Sequence, residues 1–287
     1  MLFAVKISAG LLLCLLAPGL ASGQAPGRVP IGAAIDADRF EAARAAGFDY
    51  VEINASKVAA LTDDEFEQLA GRVSRLQVPV ASANIFIPGG IKLVGPDIDP
   101  ARQMAHVTAT LTRLKRLGVS VVVLGSGGAR RVPEGFSRDE AFTQFSDFCR
   151  RLAPVARAHG ITIAVEPLRR QETNLINTVR EGVAFVKAVD RPDIRLVVDF
   201  YHLSQEQESA DVILEAGALV AHAHIANPQG RVYPLSEDEA AYGPFFASLC
   251  KIGYAGRLTI EASATDFATQ APLSLAMLRG ALACAHR

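Results

Sequence analysis

ITIAVEPLRRQETNLINTVREGVAFVKAVDRPDIRLVVDF, residues 161–200, decides the fold. Two short apolar runs, ITIAV and IRLVV, end on acids, Glu166 and Asp199, and a helical pattern over 177–189 separates them. Apolar runs without polar alternation belong to strands buried on both faces. Two such runs joined through a helix make a βαβ unit, whose strands lie parallel.

The same unit recurs in both directions. β-rich runs are VPIGAAI (29–35), FDYVEIN (48–54), VPVASANI (78–85), VSVVVLG (119–125), ITIAVE (161–166), IRLVVD (194–199), ALVAHAHI (218–225) and GRLTIEA (256–262). Helical patterns follow them at 37–46, 62–76, 100–117, 138–159, 177–189, 205–216, 239–252 and 271–286. Eight strand–helix units in one domain match the size of a (β/α)8 TIM barrel, an α/β fold. A doubly wound sheet would usually carry a Gly-rich turn after its first strand, and none is present. Thr62–Glu65, Ser137–Glu140 and Ser236–Glu239 have capping-box spacing, so these acidic clusters read as helix starts.

Composition narrows the function. The chain has 287 residues, is 50% hydrophobic and carries a formal net charge of −1. That charge gives no electrostatic reason to expect nucleic acid as a partner. Residues 1–23 read as a signal peptide: Lys6, an apolar stretch from Leu11 to Leu20, then Ala21, Ser22 and Gly23. The stretch is short for a membrane span, so cleavage near Gly23–Gln24 or Gln24–Ala25 would leave residues 24–287 as a secreted or periplasmic catalytic barrel without stable membrane insertion. An uncleaved anchor is the alternative. Cys149, Cys250 and Cys284 fall in helical patterns with no CxxC spacing, and read as buried thiols rather than a disulfide framework.

Barrel active sites lie at the C-terminal ends of the strands. Glu166, Asp199, His224 and Glu261 end four successive strands, at intervals of 33, 25 and 37 residues. Three carboxylates and an imidazole meeting there would be costly to bury without a cation. They suit one divalent ion. His202, three residues after Asp199, and Arg231, seven after His224, are candidates for substrate oxygens. Glu52 and Asn84 end the second and third strands and are candidates for the pocket wall. His222 shares a strand face with His224, and is either a partner that orients a ligand or a core histidine. The loop GSGGARRVPEGF (125–136) is expected to form pocket wall, and the long loop after the third strand to cover the site. His106, His159 and His286 carry no assigned role.

In order and spacing, VEP, DxxH, HxHIA with its downstream GR, and TIEA resemble the xylose isomerase-like superfamily of sugar isomerases and epimerases, which includes D-tagatose 3-epimerase and hydroxypyruvate isomerase. The resemblance implies that Glu166, Asp199, His224 and Glu261 bind manganese, magnesium or cobalt. It implies that Glu166 and Glu261 are the acid/base pair and that His202 and Arg231 contact substrate. The implied reaction is isomerisation or epimerisation of a small unphosphorylated sugar or keto-sugar, by proton abstraction next to a carbonyl through an enediolate. A homo-oligomer is also implied, since relatives often form dimers or tetramers. A lyase or dehydratase acting on a 3-keto-glycoside or an inosose would use the same groups. A DNA-repair endonuclease of this fold would need further histidines after the third and fourth strands, where the chain has SANIF and VVLGS. A non-catalytic sugar-binding protein would not need two glutamates on a metal.

Overall fold

The computed structural model describes residues 28–76 and 78–282. The signal-peptide segment, Cys14, Cys284 and His286 lie outside them. Eight parallel strands close into a barrel in sequence order. They are β1 (Ile31–Ala34), β2 (Tyr50–Asn54), β3 (Val80–Asn84), β4 (Val121–Leu124), β5 (Thr162–Val165), β6 (Ile194–Asp199), β7 (Val220–Ile225) and β8 (Arg257–Ile260). Closure is made by β1 on β8, with Gly32 opposite Thr259 and Ala33 opposite Ile260. All eight expected strands are present, trimmed by up to two residues at an end.

The surrounding helices are α1 (Phe40–Ala46), α2 (Ala55–Ala60), α3 (Asp63–Arg75), α4 (Pro100–Leu117), α5 (Arg138–His159), α6 (Val179–Val189), α7 (Phe200–Gln205), α8 (Val212–Ala216), α9 (Tyr242–Lys251) and α10 (Phe267–Leu282). Thr62 and Glu65 form the expected capping box on α3. At Ser137 the hydroxyl accepts from the Glu140 amide at 3.2 Å. Gly160 closes α5 at φ 65°, a left-handed conformation that needs no Cβ.

Three expectations need correction. The helix read over 205–216 is two short helices, α7 and α8, broken around Gln207 at φ 55°. α7 begins early because the Asp199 carboxylate caps it, accepting from the Tyr201 amide at 2.7 Å. Ser236 starts a 3-10 turn, and Glu239 turns away from it to accept from Asn227 Nδ2 and the Leu235 amide, so no capping box forms and α9 begins only at Tyr242. α2 was not expected: Asn54 caps it by accepting from the Lys57 amide at 3.0 Å.

Apolar packing lies mainly between barrel and helices, as in the Phe145–Phe185 stack at 4.6 Å between α5 and α6. The inside of the barrel is divided. Val121, Val123, Ala164 and Val197 form a small apolar cluster under β4 to β6. Across from them Tyr50, Glu52, Ser82, His222 and Thr259 are buried and hydrogen-bonded to one another. That polar layer supports the mouth of the barrel. Among the described residues, no helix is long and apolar enough to cross a membrane.

Candidate metal centre and active site

Strand alternation points every second residue of a barrel strand inward. In β7 this places His222 and His224 on the inner face. One step beyond β5 and β8 it does the same for Glu166 and Glu261, and Asp199 ends β6. One ligand atom from each of Glu166, Asp199, His224 and Glu261 falls within 4.8 Å of the others. The four residues therefore meet at one point.

The details favour a cation there. His224 Nδ1 lies 3.0 Å from Glu166 Oε1 and 3.4 Å from Glu261 Oε2. Asp199 Oδ2 is buried with no hydrogen-bond partner. Arg231 Nη2 sits 2.5 Å from Glu261 Oε2 and 4.0 Å from Asp199 Oδ2, a positive charge beside the cluster. Burial alone would lower the His224 pKa, but Glu52, Glu261 and Glu166 drive it well above the usual imidazole range. An orphaned carboxylate oxygen and an imidazole charged by its neighbours are what an oxygen- and nitrogen-ligated divalent site looks like without its ion. The donor set fits.

The two outer glutamates differ. Burial pushes the Glu166 carboxyl up, against the hydrogen bond and charge of His224. Burial would also raise Glu261, but the charges of His224 and Arg231 hold it down at about 2. Asn84 Nδ2 donates to Glu261 Oε1 at 2.7 Å. Two carboxyls beside one nitrogen with pKa values pushed apart form a natural acid/base pair.

Behind His224 lies Glu52, fully buried. Its Oε1 is 3.1 Å from His224 Nε2, out of line for a formal hydrogen bond, and Oε2 lies 3.4 Å from the same nitrogen. Oε2 accepts from Ser82 Oγ at 2.7 Å and is 3.0 Å from His222 Nε2. The charges of both histidines hold Glu52 well below the ordinary carboxylate range despite its burial. Glu52, His222 and His224 could themselves group around an ion. Ser82 and Thr259 already satisfy much of that set, so it reads as a hydrogen-bonded support for His224.

His202 is buried, and its Nδ1 accepts from the Arg169 amide at 3.2 Å. That bond assigns the proton to Nε2, which has no hydrogen-bond partner and lies 3.5 Å from Asp199 Oδ2. Arg231 has φ 52°. Its loop is fixed by hydrogen bonds from the Ser263 amide to Arg231 O at 2.9 Å and from the Asn227 amide to Val232 O at 2.8 Å. The guanidinium stacks on Tyr201 at 4.7 Å.

Of the residues named, Glu52, Asn84, Glu166, Arg231 and Glu261 line a cleft of about 450 Å³, together with Asp36, Ile85, Ser126 and Glu172, while Asp199, His202 and His224 are buried behind its wall. Glu172 escaped the sequence reading. It pairs with Arg169 at 2.8 Å and Arg231 at 3.3 Å, but nothing in RRQETN marks it out from its charged neighbours. From 125–136 only Gly125, Ser126 and Gly127 reach the wall, and a Cβ on Gly125 would come 2.5 Å from Glu166 Oε2. Arg130 is fully buried away from the cleft, holding backbone carbonyls. The loop after β3 packs Phe86, Ile87, Leu93 and Val94 into the core, while Ile85, at φ 48° and 47% exposed, stands at the cleft mouth.

A closed eight-stranded barrel with an acid–imidazole cluster at its C-terminal mouth defines a class of (β/α)8 proteins with a site suited to one divalent ion. The chain belongs to the xylose isomerase-like TIM barrel family, whose model matches residues 40–281. It is 30% identical over 226 residues to L-ribulose 3-epimerase of Methylomonas sp. (strain DH-1), covering 77% of this chain and 76% of the relative. It is 28% identical over 233 residues to 2-oxo-tetronate isomerase of Haemophilus influenzae, covering 78% and 86%. A crystal structure of D-allulose 3-epimerase from Methylomonas sp. superposes with a TM-score of 0.77 at 25% identity, covering 90% of this chain and 99% of that one. These relatives are sugar epimerases and isomerases.

Proposed function

We propose that the protein is a divalent-metal-dependent isomerase or epimerase of a small unphosphorylated sugar or keto-sugar. The observation that carries this reading is the convergence of Glu166, Asp199, His224 and Glu261 within 4.8 Å at the barrel mouth, in a chain related to sugar epimerases and isomerases. A divalent ion held by those four residues would supply Lewis acidity at the substrate's carbonyl and neighbouring hydroxyl oxygens.

The chain's own residues do the rest. Glu261, held ionised and partly open to the cleft, is placed to take a proton from the carbon beside the carbonyl. Glu166, whose pKa is raised, is placed to return one. The unpartnered Nε2–H of His202 donates to a substrate oxygen, and Arg231 fixes another. The cleft wall carries Asp36, Glu52, Glu166, Glu172 and Glu261 against one basic residue, Arg231, already paired with two of them. A phosphate would meet repulsion there, which supports an unphosphorylated substrate. The basic–apolar–small pattern of residues 1–23 supports action outside the cytoplasm.

The test is metal analysis of the purified protein, followed by deuterium exchange next to the carbonyl across a panel of ketoses. Exchange that depends on Mn²⁺, Mg²⁺ or Co²⁺ is expected. No bound metal and no exchange after loading would sink the reading. Glu52→Gln tests the support behind His224: metal affinity is expected to fall about 10- to 100-fold, read by competition with a chelator. An unchanged affinity would show that Glu52 does not orient the imidazole.

A further inference from the structure

A second chamber of about 310 Å³ adjoins the cleft at the ends of β1 and β8. Ala34, Ile35, Asp36, Ala262 and Ser263 line both spaces. Beyond those shared residues, the chamber adds Asp38, Arg39, Tyr233 and Ala264. We infer that this chamber is a second sugar subsite, and that the substrate is a keto-sugar carrying a further sugar ring rather than a free monosaccharide. The inference rests on the sugar epimerase or isomerase reading and deepens it.

Tyr233 carries the argument. Its side chain is 2% exposed, yet its hydroxyl has no hydrogen-bond partner among the described residues. A buried hydroxyl without a partner is costly, so such groups persist where a ligand completes them. The ring is fixed: it packs edge-on against Phe267 at 5.9 Å, and its backbone is bound to the segment after β8 through the Tyr233 amide and Ser263 O at 3.3 Å. The same loop fixes Arg231, so the two spaces are built on one loop and one strand end.

The lining chemistry selects the occupant. Asp36 and Asp38 accept hydrogen bonds, whereas Arg39 and Tyr233 donate them, and Ser263 does both. Arg39 makes no ion pair among the described residues, and the Asp36 carboxylate pairs with Lys57 at 2.7 Å on the surface. Donors and acceptors in near balance suit the alternating hydroxyls of a neutral sugar ring. Two carboxylates disfavour a phosphate, and an aromatic substituent would leave these polar groups unpaired.

The experiment compares three substrates on the metal-loaded protein: a free keto-hexose, the same keto-hexose bearing a glycosyl group, and its phosphate ester. Exchange next to the carbonyl is measured for each. A kcat/KM at least tenfold higher for the glycosylated sugar is expected. Tyr233→Phe keeps the ring and removes only the hydroxyl, and should cut that preference roughly three- to tenfold. Arg39→Ala should cut it as well. A free keto-hexose turned over as well as the glycosylated one, a preference unmoved by both variants, or a phosphate ester turned over best would each overturn the subsite and leave the epimerase or isomerase reading standing. No exchange with any of the three would instead bring down that reading, and the subsite with it.

Discussion

Glu261→Gln is expected to slow exchange next to the substrate carbonyl by about 10³-fold, the usual scale for losing a positioned general base. Glutamine keeps the shape but only one acceptor oxygen, so of Asn84 and Arg231, which donate to different Glu261 oxygens, one keeps its bond and the other loses it. What is lost is the basic oxygen and one negative charge beside His224, 3.4 Å away. Metal affinity should fall with it, so exchange has to be measured at saturating metal. Glu166→Gln is the companion. If Glu261 takes the proton and Glu166 returns one, the Glu166 variant should still release the substrate proton to solvent while product formation falls far more. Equal, small losses in both variants would mean that neither glutamate moves the proton.

Arg130→Met is expected to destabilise the protein by about 3–5 kcal/mol, the range for breaking a buried charged network. This guanidinium is fully buried, and burial draws its pKa down to about 10. It donates to Gly125 O at 2.7 Å, Leu175 O at 3.0 Å and Glu166 O at 2.5 Å, and lies over the Phe145 ring at 5.7 Å. Three carbonyls from two strand ends and a loop thus share one cation. Methionine fills much of the volume but satisfies none of them. Lysine, a point donor on a flexible stem, cannot span the fork, so Arg130→Lys should recover little. Denaturant titration of both variants measures this, and a loss below about 1 kcal/mol for methionine would show that the carbonyls find other partners.

Near-continuous apolar runs between capped helices made the barrel legible, because a strand buried on both faces has few other ways to be written. The four cluster residues were legible for the same reason: each acid or imidazole interrupts the pattern at the end of an apolar run. Glu52 was visible as a strand-end acid, but its contacts were not, since they depend on β2 facing β7 and β8 across the barrel interior. Arg130 was hidden because a buried arginine and a solvated one look alike in GARRV; only the carbonyls around it tell them apart. The α7–α8 break was hidden too, because Asp199 belongs to β6 by its apolar run and to α7 by its cap. The chamber around Tyr233 involves residues 36–39, 233 and 262–264, distant in sequence and joined only when β8 closes on β1.

Ile85 bears on how this fold trades durability against activity. A β-branched residue in the left-handed region is strained by about 1–3 kcal/mol, and this one is about half exposed, so little burial offsets the strain. Its carbonyl is gripped by the amide and hydroxyl of Ser56, at 3.1 and 2.6 Å. Asparagine tolerates that conformation, so Ile85→Asn should raise the melting temperature by a few degrees. If the same change weakens substrate binding, the apolar side chain at the mouth was kept for selectivity at the expense of thermal endurance. A hardier variant that keeps its binding would show instead that the strain is a reserve open to engineering.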